Sequence, residues 1–252
     1  MSSFKSLLFD VDGTIADTER DGHRVAFNQA FDDAGLDWHW DITLYGELLA
    51  VSGGKERLCY FMERWQSEFL PPGGVDAFTR KIHKVKQAFY LDLMAKGGIP
   101  LRPGVERLMN EARSAGLRLG IVTTTTPENV AALLNATLGR EAIGWFDVIA
   151  AGDIVPGKKP APDIYLYALE QLDLPADACL ALEDSDNGLL SATGAGIRTV
   201  ITVNDYTRLQ DFTGADLVVD QLGEPDSGFE VIAGDAGDST FVDLPLLSRL
   251  RQ

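Results

Sequence analysis

A repeated alternation of helical and strand patterns along residues 104–203 restricts the fold of this chain more than any other feature. The segment VERLMNEARSAG has apolar residues at every third or fourth position, as a helix requires, and the next segment, LRLGIVT, has the short apolar run of a buried strand. The same order recurs in LLSATGAGIRTVIT. Gly116 and Gly196 fit the left-handed residue that commonly ends a helix before the next strand.

Further segments continue this alternation. WFDVIAAGD and ACLALEDS have strand patterns, and PAPDIYLYALEQL between them has the pattern of a helix that begins near Pro162. Apolar strands separated by helices form parallel sheets with helices on both faces. The sequence therefore predicts an α/β fold, a doubly wound parallel sheet of the Rossmann type. Ligands of such sheets bind beyond the carboxyl ends of the strands.

The first strand pattern is separated from the others by a long helical insertion. Residues 17–96 are rich in helix periodicity and poor in strand signals, and we interpret them as an inserted, all-helical cap domain. Residues 1–16 and 97–222 would then form the core. Residues 223–252 are acidic and rich in loop signals, and we expect them to be a C-terminal extension, either a hairpin or a loosely ordered tail.

The charge of the chain bears on its partners. The sequence has 22 Lys and Arg residues against 38 Asp and Glu residues, a formal net charge of −16, so its average surface field repels polyanions. We therefore expect no nucleic-acid partner and no membrane partner. No stretch approaches the roughly 18 consecutive apolar residues of a membrane span, and a strand pattern begins within a few residues of the N-terminus. We expect a cytoplasmic monomer.

The two cysteines carry no metal or redox motif. Cys59 and Cys179 lie far apart and lack the CxxC spacing of metal and redox sites. We interpret both as reduced, partly buried thiols, and exclude zinc and thiol catalysis.

Polar residues stand at the predicted ends of several strands, where a ligand would bind. They are Asp10 and Asp12 in FDVDGT, Thr123 in LGIVT, Lys159 in GKKPAPD, and Glu183 and Asp184 in LALED. Any one of them could be a helix cap or a solvated loop charge. Their joint occurrence at strand ends is hard to explain in that way, and it predicts an active site.

These residue types favour phosphoryl transfer. Asp10 and Asp184 offer the hard oxygen ligands that Mg²⁺ prefers, and a metal ion would offset the repulsion between acids and a phosphate. With its charge offset in this way, Asp10 could attack phosphorus as a nucleophile. Asp12 would protonate the departing oxygen and later take a proton from the hydrolytic water.

The phosphate oxygens also need hydrogen-bond donors. Lys159 and the hydroxyl of Thr123 would hold them, and the backbone amides that follow, beginning at Thr124, would add fixed donors where negative charge develops. Gly13 would allow the chain to turn tightly after the acid pair, and Thr14 would anchor that loop.

The sequence DVDGT, followed in order by Thr123, Lys159 and the pair ED, resembles the four motifs of the haloacid dehalogenase-like (HAD) hydrolases. The likeness extends from residue 5 to about residue 203. It implies a Mg²⁺-dependent phosphatase in which the first Asp of the motif, Asp10, is the nucleophile and the second, Asp12, is the acid and base. These are the roles argued above from the chemistry.

The resemblance also refines the metal site. It implies that Asp12 contacts the metal through its backbone carbonyl, and that Glu183 acts mostly through metal-bound water. The family pattern places its lysine directly before proline, which favours Lys159 over Lys158.

The insertion resembles the helical cap of the beta-phosphoglucomutase-like and CbbY-like members, which implies a small phosphorylated metabolite as substrate. The candidate substrate-binding residues in the cap are Glu19 and His23 in TERDGH, Lys55 and Arg57 in SGGKERL, and Lys86 in KIHKVKQAFY. Each basic residue could instead be a solvated surface charge. Basic residues clustered beside glycines in a strongly acidic chain favour a second anionic group on the substrate.

The segments TERDGHRVAFNQAFDDAGLDWHWD, GGKERL and TTTT resemble the CbbY-like subgroup more than the mutases. This resemblance implies a phosphatase that acts on xylulose 1,5-bisphosphate. Two features depart from the subgroup. The spacing from Glu19 to His23 is one residue longer, and the C-terminal extension exceeds the usual end of the core.

One alternative is a phosphomutase, in which the phosphorylated aspartate survives until a second substrate orientation binds. The sequence leaves the choice between phosphatase and mutase open.

Two alternatives come from other classes. A signalling receiver domain also joins acidic metal ligands, a phospho-accepting Asp, a Thr and a Lys-Pro pair, but it is about half this length and has no cap. A haloacid dehalogenase in the strict sense needs no metal, and it would leave Asp12 and the ED pair without a role.

Overall fold

The computed structural model describes residues 4–250 of the chain. These residues form two compact units. The first runs up to Asp17 and resumes at Pro100, and the second is Thr18–Ile99. We refer to them as the core unit and the cap unit.

The core unit is built on one seven-stranded sheet. Its strands are β1 (Ser6–Phe9), β2 (Arg118–Thr123), β3 (Val148–Ala151), β4 (Cys179–Glu183), β5 (Arg198–Thr202), β6 (Leu217–Val219) and β7 (Val231–Gly234). They lie in the order β3-β2-β1-β4-β5-β6-β7, with β1 to β6 parallel and β7 antiparallel to β6. The predicted doubly wound parallel sheet is confirmed, and β7 adds an antiparallel edge.

The cap unit is helical throughout its described residues. It consists of a π-helical turn (Glu19–His23), α1 (Arg24–Asp33), α2 (Ile42–Leu48), α3 (Gly54–Trp65) and α4 (Val75–Ala95). Trp40 is fully buried at its centre, with its ring 4.6 Å from that of Phe27 and 5.0 Å from that of Phe31. This aromatic cluster lets a small helical unit bury enough apolar area to stay compact.

Helices precede, connect and follow the strands β2 to β7 of the core unit. They are α5 (Val105–Ser114), α6 (Pro127–Thr137), α7 (Asp163–Leu172), α8 (Asp186–Gly194) and α9 (Leu244–Arg249), with 3₁₀ turns at Arg140–Trp145 and Ala176–Ala178. The apolar stripe expected from the sequence of α5 is buried. Gly116 and Gly196 have φ angles of +75° and +79°, as expected at the helix ends that precede β2 and β5.

No helix within residues 4–250 is long and apolar enough to cross a membrane. Cys59 is half-buried and Cys179 is buried, and both are reduced, as predicted.

The strand register places candidate site residues from β1 and β4 next to each other at the carboxyl edge of the sheet. In β1, Phe9 pairs with Ile121 of β2 and with Leu182 of β4. Asp10 and Glu183 follow directly after Phe9 and Leu182, so their side chains start side by side at the carboxyl edge of the sheet. Neighbours on both sides of β1 therefore contribute to one site, at the position where doubly wound sheets bind ligands.

The C-terminal residues are attached to the core unit rather than loosely ordered. Glu224 accepts hydrogen bonds from the backbone N–H of Gly104 (2.9 Å) and from Nε of Arg107 (3.1 Å). Arg107 also stacks on the ring of Phe241 at 4.7 Å. Together with α9, which packs on α5, these contacts hold the segment that begins α5. The ion pairs depend on tertiary neighbours, so loop composition did not predict them.

Candidate active site

Three acidic side chains meet at the ends of β1 and β4. A carboxylate oxygen from each of Asp10, Glu183 and Asp184 lies within 4.8 Å of the others, and all three residues are buried. Asp10 follows β1, Glu183 ends β4, and Asp184 follows it, so the parallel register creates the cluster. Asp12 lies two residues further along and is half-buried, and its side chain is not part of the cluster.

A single lysine lies among these acids. The Nζ atom of Lys159 donates to Oδ1 of Asp10 (2.7 Å), to Oε1 of Glu183 (2.6 Å) and to the carbonyl of Val122 (2.8 Å). The hydroxyl of Tyr165 donates to the same Glu183 oxygen at 2.5 Å. Lys159 thus ties the ends of β1, β2 and β4 together while it orients the Asp10 carboxylate.

The cluster holds more negative charge than Lys159 offsets. Burial raises the pKa of Asp10 well above its usual value; Lys159 opposes this rise, and Glu183 and Asp184 add to it. Burial and then Glu183 raise the pKa of Asp184 to about 8. Burial disfavours the charged form of Lys159, but Asp10 and Glu183 outweigh that effect and raise its pKa. Three carboxyl groups beside one ammonium group carry more acidic charge than it can offset, which favours the binding of a further cation.

The donor set fits a divalent metal ion. The cluster offers three carboxylates, which are the hard oxygen ligands that such ions prefer. Within residues 4–250, the Oε2 atom of Glu183 is buried and has no hydrogen-bond partner. An unpaired buried carboxylate oxygen is costly unless a metal or a water occupies its lone pairs. Both observations favour metal binding at this cluster.

Two residues give the cluster its shape. Gly13 has a φ angle of +91°, and a Cβ atom at this position would lie 2.2 Å from Oδ2 of Asp184 and 2.6 Å from Nδ2 of Asn204. Only glycine allows the loop after β1 to approach this closely. Asn204 Nδ2 donates to Oδ2 of Asp184 at 2.7 Å. We did not predict Asn204 from the sequence, although its place just beyond β5 is another strand end.

The end of β2 carries the two threonines proposed as phosphate ligands. Thr123 is buried, and its Oγ1 atom accepts a hydrogen bond from the N–H of Thr125 (3.2 Å). Thr124 lies between them and is half-buried. The chain then enters α6, whose first turn is capped by the side chain of Thr126. Strand β2 thus places both threonines beside Val122, whose carbonyl binds Lys159.

In the cap unit, Arg57 is buried rather than solvated, with 6% of its surface exposed. Its Nη1 atom donates to the hydroxyl of Tyr45 (2.7 Å) and lies 3.3 Å from Oε2 of Glu19. The Tyr45 hydroxyl donates to the same Glu19 oxygen. Two of the predicted cap residues, Glu19 and Arg57, therefore belong to one part-buried ion pair.

Lys86 is also buried, with 3% of its surface exposed. Its Nζ atom lies 2.7 Å from Nδ1 of His23, whose ring stacks on Tyr90 at 4.2 Å. The alternative that Lys86 and Arg57 are solvated surface charges is therefore wrong. Lys55, the remaining basic candidate of the cap, is half-buried.

The segment from Glu19 to His23, whose spacing we predicted to be one residue longer than in the subgroup, has an unusual backbone geometry. The two residues bound a π-helical turn, in which the N–H of Arg24 donates to the carbonyl of Glu19. An i to i+5 turn contains one residue more than an α-helical turn, and π turns of this kind are frequent at functional sites. The chain thus accommodates the extra residue without interrupting the helix that continues into α1.

The charges of the cap unit create a positive field near His83. Burial, and after it Lys86 and Lys55, together lower the pKa of His83 to about 4. His83 is therefore neutral near pH 7. We did not predict it from the sequence, although its position three residues before Lys86 places both on one face of α4.

Comparisons with known proteins agree with this geometry. A family model described as haloacid dehalogenase-like hydrolase matches residues 4–196. The CbbY protein of Cupriavidus necator is 49% identical over 221 residues, which cover 88% of this chain and 87% of that protein. The chain therefore belongs to the haloacid dehalogenase-like hydrolases, and the resemblance inferred from the motifs is confirmed.

Solved structures extend the comparison. A crystal structure of a mutant CbbY from Rhodobacter sphaeroides in complex with xylulose 1,5-bisphosphate aligns with a TM-score of 0.79 and 46% identity, covering 88% of this chain and 95% of that one. Beta-phosphoglucomutase from Clostridium difficile shares the fold, with a TM-score of 0.71 at 23% identity, covering 86% and 91% of the two chains. The predicted enzyme class, a phosphatase of the HAD type, is confirmed at the level of the family.

The close approach of Gly13 to the acid cluster can be tested by Gly13→Ala. We expect a loss of phosphatase activity of about 100-fold or more, because the new methyl group would displace Asp184 and Asn204. Gly116→Ala is the matched control, since Gly116 also has a positive φ but has no atom within 4 Å of its Cβ position. Both variants should lose about 1–2 kcal/mol of stability from backbone strain. Equal activity of the two variants would contradict the packing argument.

Proposed function

We propose that this protein is a Mg²⁺-dependent phosphatase that hydrolyses a small sugar phosphate through a phosphorylated aspartate, with xylulose 1,5-bisphosphate as its substrate. The observation that carries the proposal is the buried cluster of Asp10, Glu183 and Asp184 around Lys159 at the carboxyl edge of the sheet. The choice of substrate is supported by the CbbY relative whose crystal structure holds xylulose 1,5-bisphosphate.

The metal site would be formed by Asp10 and Asp184, with Glu183 acting mostly through water and the backbone carbonyl of Asp12 completing the set. When bound, Mg²⁺ offsets the charge of the acids and of the substrate phosphate. The Asp10 carboxylate attacks phosphorus, so that an oxygen–phosphorus bond forms at Asp10 while the bond to the sugar oxygen breaks. Lys159 holds Asp10 in a fixed orientation for this attack.

Asp12 moves the protons. It is half-buried and lies two residues from the nucleophile, outside the acid cluster. In the first step it donates a proton to the departing sugar oxygen. In the second step it accepts a proton from the water that hydrolyses the aspartyl phosphate, which regenerates both side chains. Its separation from the cluster suits a group that must change its protonation state in every turnover.

The end of β2 holds the phosphate oxygens. The hydroxyl of Thr123 and the backbone N–H of Thr124 are donors on a buried strand end, so they need little reorganisation when charge develops on the transferred phosphate. Lys159 supplies positive charge on the same side. We assign these three groups to phosphate binding.

The cap unit would recognise the second phosphate of the substrate. Lys86 and Lys55 add to the effect of burial in lowering the pKa of His83, and positive charge in a part-buried region attracts an anionic group. Glu19 would hold Arg57 in place and His23 would hold Lys86, through the contacts described above.

We further propose that the protein acts as a cytoplasmic monomer with no nucleic-acid or membrane partner. The net charge of −16 supports this, because it opposes binding to polyanions and to anionic membranes.

The proposed nucleophile can be tested by Asp10→Asn. We expect at least a 10³-fold loss of turnover with every phosphate ester, because the amide cannot form the covalent intermediate. Asp211→Asn, which removes the same charge at a fully exposed position, should leave turnover unchanged. Steady-state phosphate release would be measured for xylulose 1,5-bisphosphate, ribulose 1,5-bisphosphate and hexose phosphates. Residual turnover in Asp10→Asn would contradict the covalent route.

The same assays identify the substrate. We expect the highest kcat/KM with xylulose 1,5-bisphosphate. Preferred turnover of hexose monophosphates would exclude that substrate, and rapid formation of glucose 6-phosphate from beta-glucose 1-phosphate with a bisphosphate activator would identify a mutase.

The role of the cap can be tested by Lys86→Met. We expect KM for the bisphosphate to rise about 10- to 100-fold, because a charged hydrogen bond to the second phosphate is lost. KM for a monophosphate should change little. Lys81→Met, on an exposed position of the same helix, is the control. An equal rise in KM for the two substrates would mean that Lys86 stabilises the cap without contacting the second phosphate.

A further inference from the structure

Arg102 is a buried guanidinium at the active-site end of the core unit, and none of the four motifs contains it. Only 8% of its surface is exposed. Its side chain donates to the carbonyl of Gly13, to those of Thr202 (2.9 Å) and Val203 (2.6 Å), and to that of Asp220 (2.7 Å). One side chain thus binds the loop after β1 and the ends of β5 and β6.

Backbone carbonyls supply most of the partners of this charge. An ion pair joins Nε of Arg102 to Oδ1 of Asp17 at 3.4 Å, and the Asp17 side chain is 52% exposed. Arginine presents several donors in a rigid planar fork, so it can fix several acceptors relative to one another, which the point charge of lysine cannot do. The contacts therefore fix the relative positions of three chain segments that are distant in sequence.

Two of these segments lead directly to proposed catalytic groups. Gly13 follows Asp12, and Val203 precedes Asn204, whose amide holds Asp184. The backbone of the same region is paired independently, since the N–H of Arg102 donates to the carbonyl of Ile15 at 2.9 Å. Loss of the side chain alone would therefore leave this backbone hydrogen bond in place while releasing the carbonyl of Gly13.

We propose that Arg102 is a positioning residue, which places Asp12 for proton transfer by holding the carbonyl of Gly13 against the ends of β5 and β6. This inference rests on the proposed function, because it requires Asp12 to be the acid and base. Arg102 itself takes no part in the chemistry and contacts no substrate.

Positioning of an acid has a specific kinetic signature. A sugar alkoxide needs a proton as it departs, whereas a nitrophenolate departs without one. General acid catalysis contributes about 10²–10⁴-fold where it is needed. Misplacement of Asp12 should therefore slow the formation of phosphoenzyme from a sugar phosphate but not from p-nitrophenyl phosphate. It should also slow the hydrolysis of the phosphoenzyme from either substrate, because that step needs the base.

The test compares Arg102→Lys with Arg107→Lys in the Mg²⁺-saturated enzyme. Arg107 also donates to backbone carbonyls near α5, those of Leu222 and Gly223, but these do not adjoin the acid cluster. We expect Arg102→Lys to lower kcat/KM for the sugar phosphate about 10- to 100-fold. The burst of p-nitrophenolate in rapid mixing should keep its rate within about threefold, with a slower steady state after it. Arg107→Lys should show neither change.

A second variant covers the case in which Arg102→Lys does not fold. Asp17→Asn removes the ion pair of Arg102 at a half-exposed position. It should lower kcat/KM for the sugar phosphate by a smaller factor, about two- to fivefold, and leave the rate of the p-nitrophenolate burst unchanged. The role of Arg102 would be overturned if kcat/KM for the sugar phosphate and the rate of the p-nitrophenolate burst fell by the same factor. It would also be overturned if a folded variant showed no fall in kcat/KM. Absence of phosphatase activity in the wild-type enzyme would overturn the proposed function together with this inference.

Discussion

The hydrogen bonds of Lys159 to Asp10 and Glu183 are the interaction on which the rest of the site depends. They bury one ammonium group among three carboxylates, and the desolvation of such charges is costly unless each has partners. The raised pKa values of Asp10 and Asp184 indicate that the lysine alone does not offset the acids. The uptake of a metal ion under the proposed function would offset this excess of acidic groups.

The fold supports this arrangement through its loops. The parallel sheet delivers the acids to one edge, but their separation depends on what fills the space between the strand ends. Gly13 leaves room for Asp184, and Asn204 donates to that carboxylate. Arg102 joins the same loops through carbonyls. The loop after β1 therefore lies against residues from three other parts of the chain.

The sequence predicted the fold and the strand ends that carry the acid cluster because strand ends can be read from local patterns. Asp10, Glu183 and Asp184 each end or follow an apolar strand, and the parallel sheet then brings them together. Other features depend on partners that are distant in sequence and have no local signal: the contacts of Arg102 and Asn204, the burial of Arg57 and Lys86, and the attachment of the C-terminal residues to α5. In the sequence, the only sign of the π-helical turn was the longer spacing that we noted between Glu19 and His23.

The stability of the enzyme with and without Mg²⁺ tests the central claim most directly. Asp184→Asn removes a carboxyl group whose raised pKa makes its burial costly near neutral pH, so without metal the variant should unfold at a higher denaturant concentration than the wild-type enzyme. Added Mg²⁺ should stabilise the wild type, by about 2.7 kcal/mol at one hundred times its Kd, and should have little effect on the variant. The order of stability would then reverse. A wild-type enzyme that Mg²⁺ does not stabilise, or a variant that it stabilises equally, would contradict a metal site built on Asp10, Glu183 and Asp184.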